Sequence, residues 1–265
     1  MERIGNLTKM RTVQDEPVQY FLKLDENEIY LNELLGRKIS IGFLHEINCI
    51  NCGRKTSRSF GQGYCYPCFI SVPETSECVL RPELCQAHLG LSRDMTWSEE
   101  HCLQDHFVYL ALTGDVKVGV TRQSQVPTRW IDQGAWKAIT IAKTPNRFLA
   151  GSIEVELKKH FTDKTNWRHM LTNNMDWKRD LPEEKHRILP LLPPELSGFG
   201  YPNDEVTILS YPVIEYPSKV NSISLDKKDK IEATLTGIRG QYLLFDGNAV
   251  INIRNHSGYK VKLLS

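Results

Sequence analysis

Between residues 17 and 47 apolar and polar positions alternate. Val18, Tyr20 and Leu22 are followed by Ile29 and Leu31 and later by Ile39, Ile41 and Phe43, with turn-forming residues at 25–27. A period of two sends successive side chains to opposite faces of a strand, so this stretch predicts an N-terminal antiparallel sheet. The run Phe107-Val108-Tyr109-Leu110-Ala111-Leu112, the Gly114-Asp115 turn and Val116-Lys117-Val118-Gly119-Val120 predict a hairpin over 107–121. The period then changes. Leu149, Ile153, Leu157 and Phe161 recur every fourth residue behind Thr144 and Pro145, predicting a helix over about 145–161 with Thr144 as N-cap. Five prolines between 181 and 204 predict a linker or wrapping segment. Short strands at 205–216, 230–237, 241–246, 249–254 and 259–264 are separated by Gly-containing turns and predict a small C-terminal β-barrel.

Cysteine spacing adds what the apolar pattern lacks. Cys49, Cys52, Cys65 and Cys68 form two Cys-x-x-Cys knuckles with twelve residues between them. Two thiolates three residues apart on a tight turn share one metal ion, and two such knuckles supply the four soft ligands of tetrahedral zinc. The alternative, two disulfides in a secreted protein, fits poorly with an N-terminus, MERIGNLTKM, that has no continuous apolar segment. Seven cysteines, an odd number, several at metal-ligand spacing, point to a reducing cytoplasm. Cys78, Cys85, His88 and Cys102 then predict a second zinc, with Cys85-x-x-His88 repeating the knuckle spacing. His101 and His106 compete with His88 for the fourth position, and the competing reading is of buried cysteines and surface histidines.

The chain of 265 residues is long enough for one to three modules, carries a net charge of +1, and has no apolar run of membrane-spanning length. Charge is nonetheless segregated. From Lys117 to Arg147 the cations Lys117, Arg122, Arg129, Lys137, Lys143 and Arg147 face a single acid, Asp132. Trp130, Trp136, Trp167 and Trp177 lie among or just after them, beside Arg168. Basic groups hold phosphates and aromatic rings stack on bases, so RNA or DNA is the expected partner, with no membrane and no small-molecule cofactor. The candidate contacts are Lys117, Arg122, Trp130, Lys137, Arg147, Trp167 and Arg168. The tryptophans have a plainer reading as packing anchors.

The segment Val108-Tyr109-Leu110, Lys117-Val118-Gly119-Val120-Thr121, Arg129 and Glu154 resembles the GIY-YIG nuclease fold, in which a tyrosine-bearing and a glycine-bearing strand form a hairpin before an arginine and a helical glutamate. The resemblance implies catalytic roles for Tyr109, Arg129 and Glu154. A tyrosine or nearby base activates water, the arginine stabilises the phosphate, and the glutamate holds a divalent cation such as Mg or Mn. Asn166 matches an asparagine seen in some members. The second motif departs from the family, with Lys117 where a second tyrosine is usual. Each residue also has a structural reading: Glu154 as the i, i+4 partner of Lys158, Arg129 as a solvated cation, Tyr109 as core.

Most of the chain, through Pro127-Thr128-Arg129-Trp130-Ile131-Asp132-Gln133-Gly134-Ala135 and Gly237-Ile238-Arg239-Gly240-Gln241-Tyr242, is similar to an uncharacterised bacterial family with cysteine-rich knuckles. The expected fold is α+β. An N-terminal β module (1–46) precedes a zinc-binding region (47–106), a GIY-YIG-like α/β module (107–180), the Pro-rich segment (181–204) and a C-terminal barrel (205–265). The expected function is a zinc-containing nucleic-acid-binding protein, either a metal-dependent phosphodiesterase or an inactive relative. A zinc-ribbon scaffold for protein interaction is the third possibility.

Overall fold

The computed structural model describes residues 1–161 and 167–265 and is mixed α+β. Its strands are β1 (Glu2–Asn6), β2 (Arg11–Val13), β3 (Gln19–Leu24), β4 (Asn27–Tyr30), β5 (Lys38–Asn48), β6 (Lys55–Thr56), β7 (His106–Leu112), β8 (Val116–Arg122), β9 (Lys137–Thr144), β10 (Val206–Ile208), β11 (Asn221–Ile223), β12 (Lys230–Arg239), β13 (Tyr242–Phe245), β14 (Ala249–Asn252) and β15 (Tyr259–Leu264). The helices are α1 (Tyr66–Ser71), α2 (Met95–His101), α3 (Thr128–Asp132), α4 (Arg147–Lys158), α5 (Trp167–Leu171), α6 (Leu181–Ile188) and α7 (Pro194–Ser197).

The expected C-terminal barrel does not form. Its strands join an open sheet of order β1-β15-β5-β12-β13-β14-β11, with β6 paired to β5. The long strand β5 lies between β12 and β15, antiparallel to both, so Ile41 pairs with Ile231 on one side and Leu263 on the other. Alternation in the C-terminal strands reports one buried face each. It carries no information on which strand will fill the remaining edge, and here the N-terminal half of the chain supplies it. β2, β3 and β4 make a separate three-stranded meander. Tyr20, Leu22 and Leu24 of β3 are buried with Ile39, Ile41, Ile231 and Leu243 in the largest core.

The hairpin expected at 107–121 is β7–β8, extended by β9 and by β10 into a four-stranded sheet of order β10-β9-β7-β8. β7 is buried along its whole length because neighbours flank both edges and α4 covers one face. Ala150, Ile153 and Leu157 of α4 pack on Val108, Leu110, Val118 and Ile141. The helix begins two residues later than the apolar stripe suggested. Asn146, not Thr144, is the N-cap, its side chain accepting from the Leu149 N–H at 3.0 Å. The Pro-rich segment wraps: Leu181 and Ile188 of α6, Leu192 and Leu196 are all buried in this same core.

The strings 127–135 and 237–242 meet. The fully buried Arg239 guanidinium donates to the Gly134 carbonyl at 3.1 Å and to Asn173 Oδ1 at 3.0 Å, and lies over the Tyr211 ring. Gln241 donates to Asp132 Oδ1 at 2.9 Å. The four-stranded unit is thereby docked on the eight-stranded sheet through polar groups satisfied by one another.

Candidate functional site

The four-cysteine cluster is built by the end of β5 and the start of α1. Cys49 follows β5 directly, and Gly53 takes the left-handed conformation at φ 70° that turns the knuckle back, its N–H donating to the Cys49 carbonyl at 2.9 Å. Cys65 is the N-cap of α1 and Cys68 lies in its first turn, with Pro67 as the second helical residue. The four Sγ atoms all lie within 4.8 Å of one another, and Cys52 and Cys65 are 3.8 Å apart. Two thiolates each ~2.3 Å from a tetrahedral ion stand about 3.8 Å apart, so the donor set fits zinc. Such a closed site holds structure and leaves no position for substrate.

Cys78, Cys85 and Cys102 form a second cluster, again with Sγ atoms within 4.8 Å. These three thiols can hold a metal too. The expected fourth ligand, His88, does not join them: its ring is exposed and stacks on Phe148 at 4.5 Å. His101 is held elsewhere by its Nδ1 at 2.9 Å from the Trp97 carbonyl and by stacking on the Trp97 ring. Arg147 packs against this cluster, donating to Cys78 Sγ at 3.7 Å and to the His101 carbonyl at 3.1 Å.

Tyr109, Gly119, Arg129 and Glu154 come together. Tyr109 and Gly119 are direct cross-strand partners, and the ring lies over the glycine. Arg129 comes from α3 and Glu154 from α4. The position of α4 is fixed at Gly151, where a Cβ would fall 2.2 Å from the Glu83 backbone nitrogen. With Lys117, Gln133 and Lys158, the Arg129 and Glu154 side chains line one cavity of about 200 Å³ along β8. Tyr109 stands behind it, fully buried. Its hydroxyl accepts from Gln133 Nε2 at 2.7 Å, and burial raises its pKa, partly opposed by Arg129 and Gln133. Burial also raises the Glu154 carboxyl above the ordinary range, against the nearby Lys158 ammonium at 3.5 Å. Burial and then Arg129 pull the Lys117 ammonium down to about 8.

The proposed nucleic-acid contacts are scattered. Lys117 and Arg122 line cavities beside β8. Trp130 is a correction: it is buried edge-on against Tyr109, so no base can stack on it. Arg147 is buried and committed mainly to the second cysteine cluster. Lys137 lies over the Trp136 ring, Lys143 pairs with Asp105 at 2.8 Å, and the Trp167 ring stacks on Tyr242 and has the Arg168 guanidinium over it. The cations clustered in sequence therefore do not form one stripe, because strands and helices send them to different faces. Asn166 lies outside the described residues.

Sequence reasoning missed Gln133, Lys9 and Arg254, while the expected i, i+4 pair of Lys158 with Glu154 forms at 3.5 Å. Lys9 forms an ion pair with Asp132, and Arg254 lies in a turn after β14. Gln133 sits inside the Pro127–Ala135 string, a signal already in view. Lys9 and Arg254 reach the site only through the docking of the two sheets.

Among the described residues no helix is long and apolar enough to cross a membrane. No curated protein and no solved structure matches the chain. Over residues 36–261 the sequence matches a family described as protein of unknown function, DUF2797. That span holds both cysteine clusters, the hairpin, α4 and the Arg239 junction, and the chain belongs to the DUF2797 family.

Proposed function

We propose that the cavity beside β8 binds a nucleic-acid phosphodiester and hydrolyses it. The observation that carries this reading is the convergence of Arg129, Lys117 and the buried Glu154 on one cavity, with Tyr109 packed behind them. Arg129 donates to the non-bridging phosphate oxygens, where negative charge grows in the transition state, from a site already organised by its neighbours. Lys117 stands where the GIY-YIG pattern has a tyrosine. Its depressed pKa leaves a fraction of neutral amine near neutrality, which accepts the proton of the attacking water. The water oxygen bonds to phosphorus, the bond from phosphorus to the leaving sugar oxygen breaks, and solvent protonates that oxygen. Tyr109, with its raised pKa and no access to the cavity, positions Arg129 and Gln133 rather than taking the proton.

Among the described residues Glu154 is the only carboxylate lining the cavity. That suits a hard divalent ion such as Mg or Mn, which keeps several waters and takes one or two carboxylates plus substrate phosphate oxygens. When bound there, it would neutralise phosphate charge. The test is incubation of purified protein with labelled single-stranded and duplex RNA and DNA in Mg²⁺ or Mn²⁺. Cleavage is expected, with at least a hundredfold loss in Glu154→Gln; cleavage at the wild-type rate in that variant sinks the mechanism.

A second reading, binding without cleavage, draws on the Lys158 ammonium 3.5 Å from the Glu154 carboxylate. It predicts strand binding by the wild type with no products in either metal.

A further inference from the structure

A second cavity of about 200 Å³ adjoins the first, sharing Val79, Pro82, Val120 and Arg129 with it. Its walls come from distant parts of the chain: Lys9 after β1, His106 and Arg122 at the edge of the hairpin, Arg129 and Asp132 on α3, and Arg254 after β14. The charges do not cancel. Asp132 is neutralised by Lys9 and also accepts from Gln241. Arg122, Arg129 and Arg254 are each only partly exposed, and none forms an ion pair among the described residues. His106 adds no charge: its Nδ1 faces the Gln104 carbonyl at 2.7 Å, and burial holds it down to about 4. Burial likewise lowers the pKa of both Arg122 and Arg254. Arg147 also lines the cavity, buried and bonded to Cys78 Sγ and the His101 carbonyl. The three other, half-buried guanidiniums are costly without a counter-charge, and planar guanidinium forks match phosphate oxygens.

We infer that this cavity is a second phosphate subsite, in which Arg122 and Arg254 hold the backbone phosphate next to the one engaged at Arg129 and Glu154. The ligand class is an oligonucleotide strand, bound through consecutive phosphates and not through a single phosphoryl group. The inference rests on the functional reading above and sharpens it. Arg129 lines both cavities and bridges the two phosphates. Arg254 belongs to the eight-stranded sheet and Arg122 to the four-stranded unit, so the strand crosses the junction between them.

The experiment is equilibrium binding without divalent ions, using fluorescein-labelled octanucleotides of RNA and DNA and a labelled dinucleotide with one internal phosphate. The proteins are wild type, Arg254→Gln and Arg122→Gln, each checked for folding by circular dichroism. Each variant is expected to weaken octanucleotide binding by about five- to twentyfold and to reduce the log–log salt slope by about 1, with dinucleotide binding within twofold of wild type. The RNA and DNA arms decide which backbone fits. Unchanged octanucleotide affinity and slope in both variants overturns the subsite, as does an equal loss for octanucleotide and dinucleotide. If Arg254→Gln fails to fold, Arg122→Gln decides. Absence of wild-type binding to any strand at low salt overturns the subsite and the functional reading together. Unaltered binding in the arginine variants, alongside Glu154-dependent cleavage, overturns the subsite alone.

Discussion

Tyr109 and Gly119 face each other across the β7–β8 ladder, and a Cβ at 119 would stand 2.5 Å from the Tyr109 hydroxyl oxygen. The glycine is there to admit the ring. Gly119 has no unusual backbone conformation, so the requirement is one of space alone. Gly119→Ala is expected to destabilise by about 1–3 kcal/mol through overpacking, measured by urea denaturation. Combined with Tyr109→Ala, the two losses should be less than additive, because the second change removes the clash that the first creates. Strict additivity would show that the ring does not rest on the glycine.

Lys117 gives the proposed activity a signature in pH. An ammonium must lose its proton before it can accept one from water. With its pKa pulled down to about 8, cleavage should rise roughly tenfold per pH unit below that value and level off above it. Glu154 sets the acid side: its carboxyl is raised by burial, so divalent-ion dependence should weaken at a higher pH than an ordinary carboxylate would require. Lys117→Met should abolish the rising limb. A limb that survives in this variant places the base elsewhere.

Both cysteine clusters should hold zinc. Elemental analysis of protein purified without chelator is expected to give two ions per chain, falling to one in Cys102→Ser. A four-thiolate ion contributes directly to folding, so Cys52→Ser should lower thermal stability well beyond a surface substitution. Because Arg147 donates to Cys78 and also lines the second cavity, loss of the second metal should weaken strand binding as well. One ion per chain in the wild type would leave the three-cysteine cluster as packing.

Arg239 is buried with no carboxylate partner among the described residues, its guanidinium spent on the Gly134 carbonyl, Asn173 and the rings around it. Arg239→Met keeps much of the volume but leaves those acceptors unpaired. The expected cost is about 2–4 kcal/mol by denaturant unfolding. A neutral result would mean the junction is held by its apolar contacts.

Local features of this molecule were legible in its sequence. The hairpin at Phe107–Val120 was signalled by the Gly114-Asp115 pair, which lies in a three-residue turn, and by continuous apolar strands. The knuckles at Cys49–Cys68 were fixed by spacing. The apolar stripe through Ile153 gave α4 but misplaced its cap by two residues, since both Thr144 and Asn146 can accept from a helix N-terminus and only the backbone geometry chooses. The pairing of β5 with β12 and β15 was illegible, because a strand's pattern names its buried face and not its neighbour across two hundred residues. For Trp130 the packing reading holds and the base-stacking one fails: beside Arg129 in sequence it looks like part of a basic, aromatic surface, yet the short α3 buries Trp130 and leaves Arg129 partly exposed. Arg254 and Lys9 carried no local signal at all.

The polar junction at Arg239 has a thermodynamic consequence. Arg122 and Arg254 face the same cavity only while the four-stranded unit is seated on the larger sheet, so a bound strand would act as a clamp across that seam. Ligand binding and seating are then linked equilibria. A strand present at a hundred times its Kd would add about 2.7 kcal/mol to whichever opening separates the two sheets. Slower amide hydrogen exchange would appear on both sides of the seam at once, in β8 and in β14, although the strand touches only a few residues of either.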